Sequence, residues 1–164
     1  LAADYDFSEE DLLRIHYIGI MHDIGKIGVA DSVLNKPGRL TESEFSLMKK
    51  HVEIGSEMLA GMNDSISGLV DGIRYHHERF DGKGYPSQLA GEDIPYFARI
   101  AAVADTFDAM TSKRTYRNAL PLEVVKSEIE RCAGTQFDPK IAKTFLDILN
   151  NNYNEIEKIQ AQYK

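Results

Sequence analysis

The stretch RYHHERFDGKGYP, residues 74–86, sets two adjacent histidines, His76 and His77, before a Gly-Lys-Gly turn. Both continue the apolar stripe Ile66, Leu69, Val70, Ile73 by i,i+3 and i,i+4 steps. Consecutive side chains on a helix diverge by about 100°, so the pair suits two metals, or two corners of one cluster. The plainer alternative has one ring packed and the other in solvent. In MHDIGKIGV, His22 ends the stripe Leu12, Ile15, Ile18, Gly19 with Asp23 beside it. That pair can offer one nitrogen and one oxygen ligand, or simply finish a helix. Gly25 and Gly28 release the helix and put Lys26 on a flexible turn nearby. His51, in SLMKKHVEIGSEML, shares a face with Leu47, Met48, Gly55 and Met58, which reads as the buried side. Alone, such a residue is more often a satisfied core histidine than a ligand. Asp105 and Asp108 stand i,i+3 in the otherwise apolar YFARIAAVADTFDAM. A buried ionised carboxylate without a partner costs several kcal/mol, so Arg99, another basic group, or a metal must answer them.

Together, His22, Asp23, His51, His76, His77 and Asp105 are four imidazoles and two carboxylates projected inward from four helices. Of the five histidines, this set omits His16 alone. Imidazole with carboxylate suits iron, manganese, zinc or nickel better than calcium or magnesium alone. Two or more ions a few ångströms apart form the arrangement that hydrolyses phosphoryl esters.

The elements that must position these residues read as helices throughout. No run of strict strand alternation is sustained, and the fold class is a single compact all-α bundle. Ser8 with Asp11 makes a capping box for a helix over about 9–22. Thr41 to Glu44 makes a second, for a helix to about Leu59. A third helix covers about Ile66 to Glu78. A fourth, about Pro95 to Met110, is nearly all apolar and should be buried. Pro121 fits the first turn of a fifth that stops before Gly134, and Asp138-Pro139 opens a last long one. Loops fall at Gly25 to Gly28, Lys36 to Gly38 and Asp81 to Pro86.

The 164 residues suffice for one buried core. Nineteen basic against 26 acidic side chains give a formal charge of −7, the wrong sign for a duplex-binding protein, which gains affinity by displacing counterions. A small anionic ligand remains compatible if metals or a local basic cluster supply positive charge. No apolar run approaches a membrane span of roughly 20 residues. The single cysteine, Cys132, excludes an internal disulfide, fits a reducing, cytoplasmic setting, and reads as a core thiol.

HDIGK at 22–26 resembles the signature of HD-superfamily metal-dependent phosphohydrolases. HHERFDGKGYP at 76–86 resembles the motif of the HD-GYP subfamily, and AVADTFDAMTSKRTYRNA at 102–119 its third block. The likeness continues in order through GTQFDPKIAKTFL, so that 1–164 reads as one HD-GYP domain. The resemblance implies a cytoplasmic bacterial cyclic di-GMP phosphodiesterase with a helical fold and two or three divalent ions, iron or manganese first, zinc or nickel second. It puts His22, Asp23, His51, His76, His77 and Asp105 at metal-ligand positions, with Asp23 bridging. Lys26 falls where a lysine meets substrate phosphate, and Tyr85, Arg114 and Arg117 at substrate-contacting positions. It further implies an upstream sensor or receiver domain, and a first helix carrying a glutamate and a histidine ahead of Leu1. Without that helix the stripe of Leu12, Ile15 and Ile18 is uncovered, and a second copy of the chain is the expected cover. A catalytically incomplete domain that senses the dinucleotide or contacts a partner is the alternative.

Overall fold

The structure, a computed structural model, describes residues 7–62, 66–112 and 118–162. Among them the chain is helical, with only isolated bridges pairing Asp81 with Ala90 and Ala133 with Phe137. No helix of the described residues is long and apolar enough to cross a membrane.

Helix α1 (Glu9–Met21) opens on the expected capping box: Ser8 Oγ accepts from Asp11 N–H, and the Asp11 carboxylate accepts from Ser8 N–H. A short helix α2 (Asp31–Leu34) follows a 3-10 turn at Ile24–Gly28. The Thr41–Glu44 box forms likewise, and Lys36 Nζ adds a 2.6 Å bond to the Glu44 carboxylate. Each such cap contributes about 1 kcal/mol to starting a helix.

The single helix expected from Thr41 to Leu59 is instead two, α3 (Glu42–Lys49) and α4 (His51–Met58). At Lys50 the backbone tightens to an i−3 hydrogen bond from Lys50 N–H to Leu47 O, which re-aims the chain. Helix α5 (Leu69–Tyr75) is shorter than expected at both ends. Gly68, at φ 78°, sits in the left-handed region immediately before it, so no helix can run through from Ile66.

Helix α6 (Tyr96–Thr111) is buried on one side only, through Ala98, Ile100, Ala102, Val103, Phe107 and Met110. Its Ala104 and Asp108 are exposed, which corrects the expectation of a wholly buried helix. Helices α7 (Leu122–Cys132) and α8 (Pro139–Gln162) pack on the buried side. Asp138 caps α8 by accepting from Lys140 N–H at 2.8 Å. Its other oxygen accepts from Arg99 Nη1 at 2.6 Å. Arg99 is therefore committed to Asp138 and is no partner for Asp105 or Asp108.

Two apolar clusters frame the bundle. The larger joins α6, α7 and α8 through Val103, Phe107, Val125, Ile129, Phe137, Ile141 and Phe145. Each fully buried side chain of this size contributes about 1.5–3 kcal/mol, and Cys132 lies among them as a free thiol. The smaller joins α1 and α5 through Ile18, Leu69 and Ile73. On α1, Ile18 alone of the expected stripe is buried; Leu12 is 42% exposed, and Gly19 is exposed too. The polar residues singled out above gather beside this smaller cluster, where α1, α4, α5 and α6 meet.

Candidate metal centre

The ligand atoms of Asp23, His51, His76 and His77 lie within 4.8 Å of one another. Each comes to that point by a different local device. His51 is the first residue of α4, so the break at Lys50 delivers it; it is 1% exposed. The stripe that suggested its burial is misleading, because Leu47 and Met58 are about half exposed. Helix α5 ends at Tyr75, leaving His76 as its cap and His77 beyond it. His76 keeps right-handed helical backbone angles, and the two rings still approach to 4.1 Å between centroids, tilted by 42°. They occupy adjacent corners of one group. His76 is as deeply buried as His51.

Three of the rings share one hydrogen-bonding pattern. Nδ1 of His22 lies 2.9 Å from Gly19 O, that of His51 2.8 Å from Met48 O, and that of His76 2.6 Å from Ile73 O. A carbonyl only accepts, so Nδ1 carries the proton in each ring and orients it. For neutral rings this leaves Nε2 as a bare lone pair. Nε2 of His51 and of His76 is buried and has no hydrogen-bond partner. His51 Nε2 also faces Asp23 Oδ1 at 3.4 Å, one acceptor against another. A cation between them is what such a pair lacks, so the donor set fits a divalent metal ion.

Asp23 looks both ways. Oδ1 faces His51, while Oδ2 accepts from Lys26 Nζ and lies 3.5 Å from His22 Nε2. His22 Nε2 is in turn 3.7 Å from Asp105 Oδ1. The six expected ligands are therefore one connected group, with His22 and Asp105 flanking the tighter four. Burial opposes a charge on His22, but Asp105 and Asp23 outweigh it and raise its pKa to about 10. Burial also opposes ionisation of Asp23 and Asp105; His22 overcomes this in both, with Lys26 adding at Asp23, and holds both carboxyls below their ordinary value. Burial drives His76 down to about 3 and His77 to about 4, each with help from a neighbouring ring, and lowers His51 as well. In the metal-free chain three rings are thus neutral near pH 7, while His22 holds a proton against Asp105 and Asp23 that an ion at its Nε2 would displace.

Lys26 is on an ordered 3-10 turn, where a flexible loop was expected. Gly25 makes this possible. A Cβ there would stand 1.9 Å from His51 O and 2.4 Å from Gly55 N, so only glycine lets the turn lie directly on α4. Asp108 does not join the group; its Oδ1 accepts from Ser112 Oγ and from Gln160 Nε2 of α8. It lines, with Ile15, Gly19, His22, Phe97 and Asp105, a cavity of about 360 Å³ between α1 and α6.

Tyr85 lies over His77, ring centroids 4.9 Å apart and tilted 31°. Burial raises its phenol pKa well above the ordinary value. Its loop is fixed from beneath by Glu78, which periodicity gave no reason to single out. Glu78 is 3% exposed, and its Oε1 accepts from Ser87 N–H at 2.6 Å. Gly84 rests on the same backbone, with a Cβ position only 2.5 Å from Glu78 Cα. The one signal for Glu78 was a charged residue directly following two inward histidines. Arg114 and Arg117 lie outside the described residues.

The HD domain family profile matches residues 1–141. A cyclic di-GMP phosphodiesterase of Thermotoga maritima is 44% identical over 90% of this chain and 40% of its own length. A cyclic di-GMP phosphodiesterase response regulator of Xanthomonas campestris is 41% identical over 99% of this chain and 42% of its own. A 3'3'-cGAMP-specific phosphodiesterase of Vibrio cholerae is 38% identical over 90% and 28%. The chain thus spans about two-fifths or less of the length of these relatives. A crystal structure of a cyclic GMP-AMP specific phosphodiesterase from V. cholerae shares the fold, with a TM-score of 0.63 at 20% identity over 90% of this chain and 40% of that one.

Proposed function

The chain belongs to the HD domain family, and from that premise we propose that it is a metal-dependent phosphodiesterase that hydrolyses cyclic di-GMP to pGpG, GMP or both. The observation that carries this reading is the bare, buried Nε2 of His51 and of His76 beside an ionised Asp23. A packed core has no use for such atoms; a metal site does.

His22, Asp23, His51, His76, His77 and Asp105 would hold two or three divalent ions, iron or manganese by preference and zinc or nickel as substitutes. The ions would supply Lewis acidity and charge neutralisation for opening a phosphodiester. The protein's own groups do the rest. Asp23, with its two oxygens turned to different rings, would be the ligand shared between ions. Lys26, held at the same carboxylate, is the cation that meets a phosphate oxygen as charge develops. Tyr85 borders the substrate beside His77, and Arg114 and Arg117 are assigned to phosphate or a guanine edge, where a planar fork of donors is useful. The Xanthomonas relative's name supports an upstream receiver or sensor in the full-length protein. The exposed Leu12, Leu13 and Ile20 of α1 support association with a second copy.

The test is turnover of cyclic di-GMP by protein loaded with manganese or iron, products separated by chromatography, before and after chelation. Chelator-sensitive release of pGpG or GMP is expected. The V. cholerae relative's name makes 3'3'-cGAMP the competing substrate in the same assay. Tight binding of cyclic di-GMP with no product from either dinucleotide would replace the enzyme with a sensing module.

A further inference from the structure

We propose that Phe45 and Lys49 of α3 form a purine platform on which one base of the cyclic dinucleotide stacks, an inference that rests on the substrate class proposed above. A row of rings leads out of the metal centre. His77 meets Tyr85 at 4.9 Å, and Tyr85 meets Phe45 edge to face at 6.3 Å and 83°. Phe45 is 48% exposed, and α3 buries none of its residues. Among the described residues, neither apolar cluster includes this large ring, which stands one step from the site. Lys49 Nζ lies 5.3 Å from the Phe45 centroid and 5.8 Å from that of Tyr85. Beside them a concavity of about 250 Å³ is lined by Ser46, Lys49, Lys50, Glu53, Tyr85 and Pro86. Its one carboxylate, Glu53, lies 3.6 Å from Arg74 Nη2.

The substrate's chemistry matches this surface. A cyclic dinucleotide carries two anionic phosphodiesters and two purines. With one phosphodiester at the metal centre, a purine must leave it along some wall of the site. An exposed aromatic face accepts any base by stacking, and a flanking cation adds to it. The chain is acidic overall, at −7, so an anion needs local positive charge, and Lys49 and Lys50 supply it on this wall, with Lys26 on the turn packed against α4.

The experiment compares wild type, Phe45→Ala, Phe45→Tyr and Lys49→Ala, all metal-loaded. KM and kcat are read for cyclic di-GMP, Kd for its hydrolysis-resistant phosphorothioate analogue, and metal per chain alongside. Phe45→Ala should raise both KM and Kd about tenfold with kcat and metal content unchanged, and Phe45→Tyr should restore them. Lys49→Ala should weaken binding in the same direction, by less. Unchanged Kd in Phe45→Ala, or lost metal, or no recovery with tyrosine, overturns the platform while leaving the enzyme reading intact. Wild type that binds the analogue through Phe45 yet releases no product would overturn the enzyme reading and keep the platform. Wild type that neither binds nor hydrolyses ends both.

Discussion

Asp23 Oδ1 and His51 Nε2 face each other at 3.4 Å across the junction of the 3-10 turn and α4, and neither brings a proton to the contact. The same carboxylate's Oδ2 serves His22 and Lys26. Asp23→Asn replaces one acceptor with a donor and removes the charge. Asp23 is only partly buried, so helicity by circular dichroism should be retained. Metal affinity should fall at least about tenfold, the effect of losing roughly 1.4 kcal/mol, and hydrolysis should fall with it. Full metal content in Asp23→Asn would show that Asp23 is no ligand.

Acid should destabilise the metal-free protein in a defined window. His76 and His77 are held near 3 and 4 when folded, against 6.5 for a free side chain. Between those values the unfolded chain binds more protons, so stability present above pH 6.5 is lost as pH falls toward 4. His22 has the opposite sign: raised to about 10, it stabilises below 6.5 and loses that contribution as pH climbs to 10. Urea midpoints measured across pH should peak at about 6.5–7. A midpoint that rises between pH 6 and 4 would contradict the neutral rings.

Gly25→Ala should be among the most damaging single methyl additions in the chain. The new Cβ would meet backbone atoms of His51 and Gly55, which have no rotamer to yield. Overpacking of this kind costs about 1–3 kcal/mol and occasionally more, and the turn carrying Asp23 and Lys26 must shift, so metal is lost too. Gly19→Ala is the control: nothing lies within 4 Å of its Cβ position in α1, and a gain of about 0.5–1 kcal/mol is expected. Equal behaviour of the two in denaturant would refute the close-approach argument.

Glu78 separates hydrogen bonding from charge. Glu78→Gln keeps an acceptor for Ser87 N–H, and Tyr85 should stay over His77. Glu78→Ala strands that N–H beneath the loop at a cost of about 1–3 kcal/mol. The alanine variant should show a raised KM and increased protease cleavage within residues 81–87, and the glutamine variant neither. Identical behaviour of the two variants would mean that the bond does not hold the loop.

Local chemistry was legible in the sequence. The Ser8 and Thr41 caps formed as expected because each needs only residues three apart. Asp138 opened α8 for the same reason. The convergence of His22, Asp23, His51, His76, His77 and Asp105 was legible because polar side chains on apolar faces demand a common partner. What escaped depends on packing between distant segments. Nothing near Lys50 in sequence announces that the helix breaks there, and nothing near Tyr75 says α5 ends. Leu47 and Met58 looked like core neighbours of His51 but face solvent. Arg99 answers Asp138, 39 residues away, and no periodicity encodes that choice. Glu78 and Phe45 touch the Tyr85 loop through contacts that pattern alone does not reveal.

The four elements that meet at the centre are well separated along the chain, so an ion held by all of them acts as a cross-link. It would close three successive loops at one point and remove their closure entropy from any partly opened state. No one element could then fray without releasing the ion, and their local opening would become a single event. Hydrogen exchange should report this directly. On chelation, amides at the end of α1, the start of α4, the end of α5 and the middle of α6 should lose protection together, and on reloading they should regain it by the same free energy, set by metal concentration relative to its Kd.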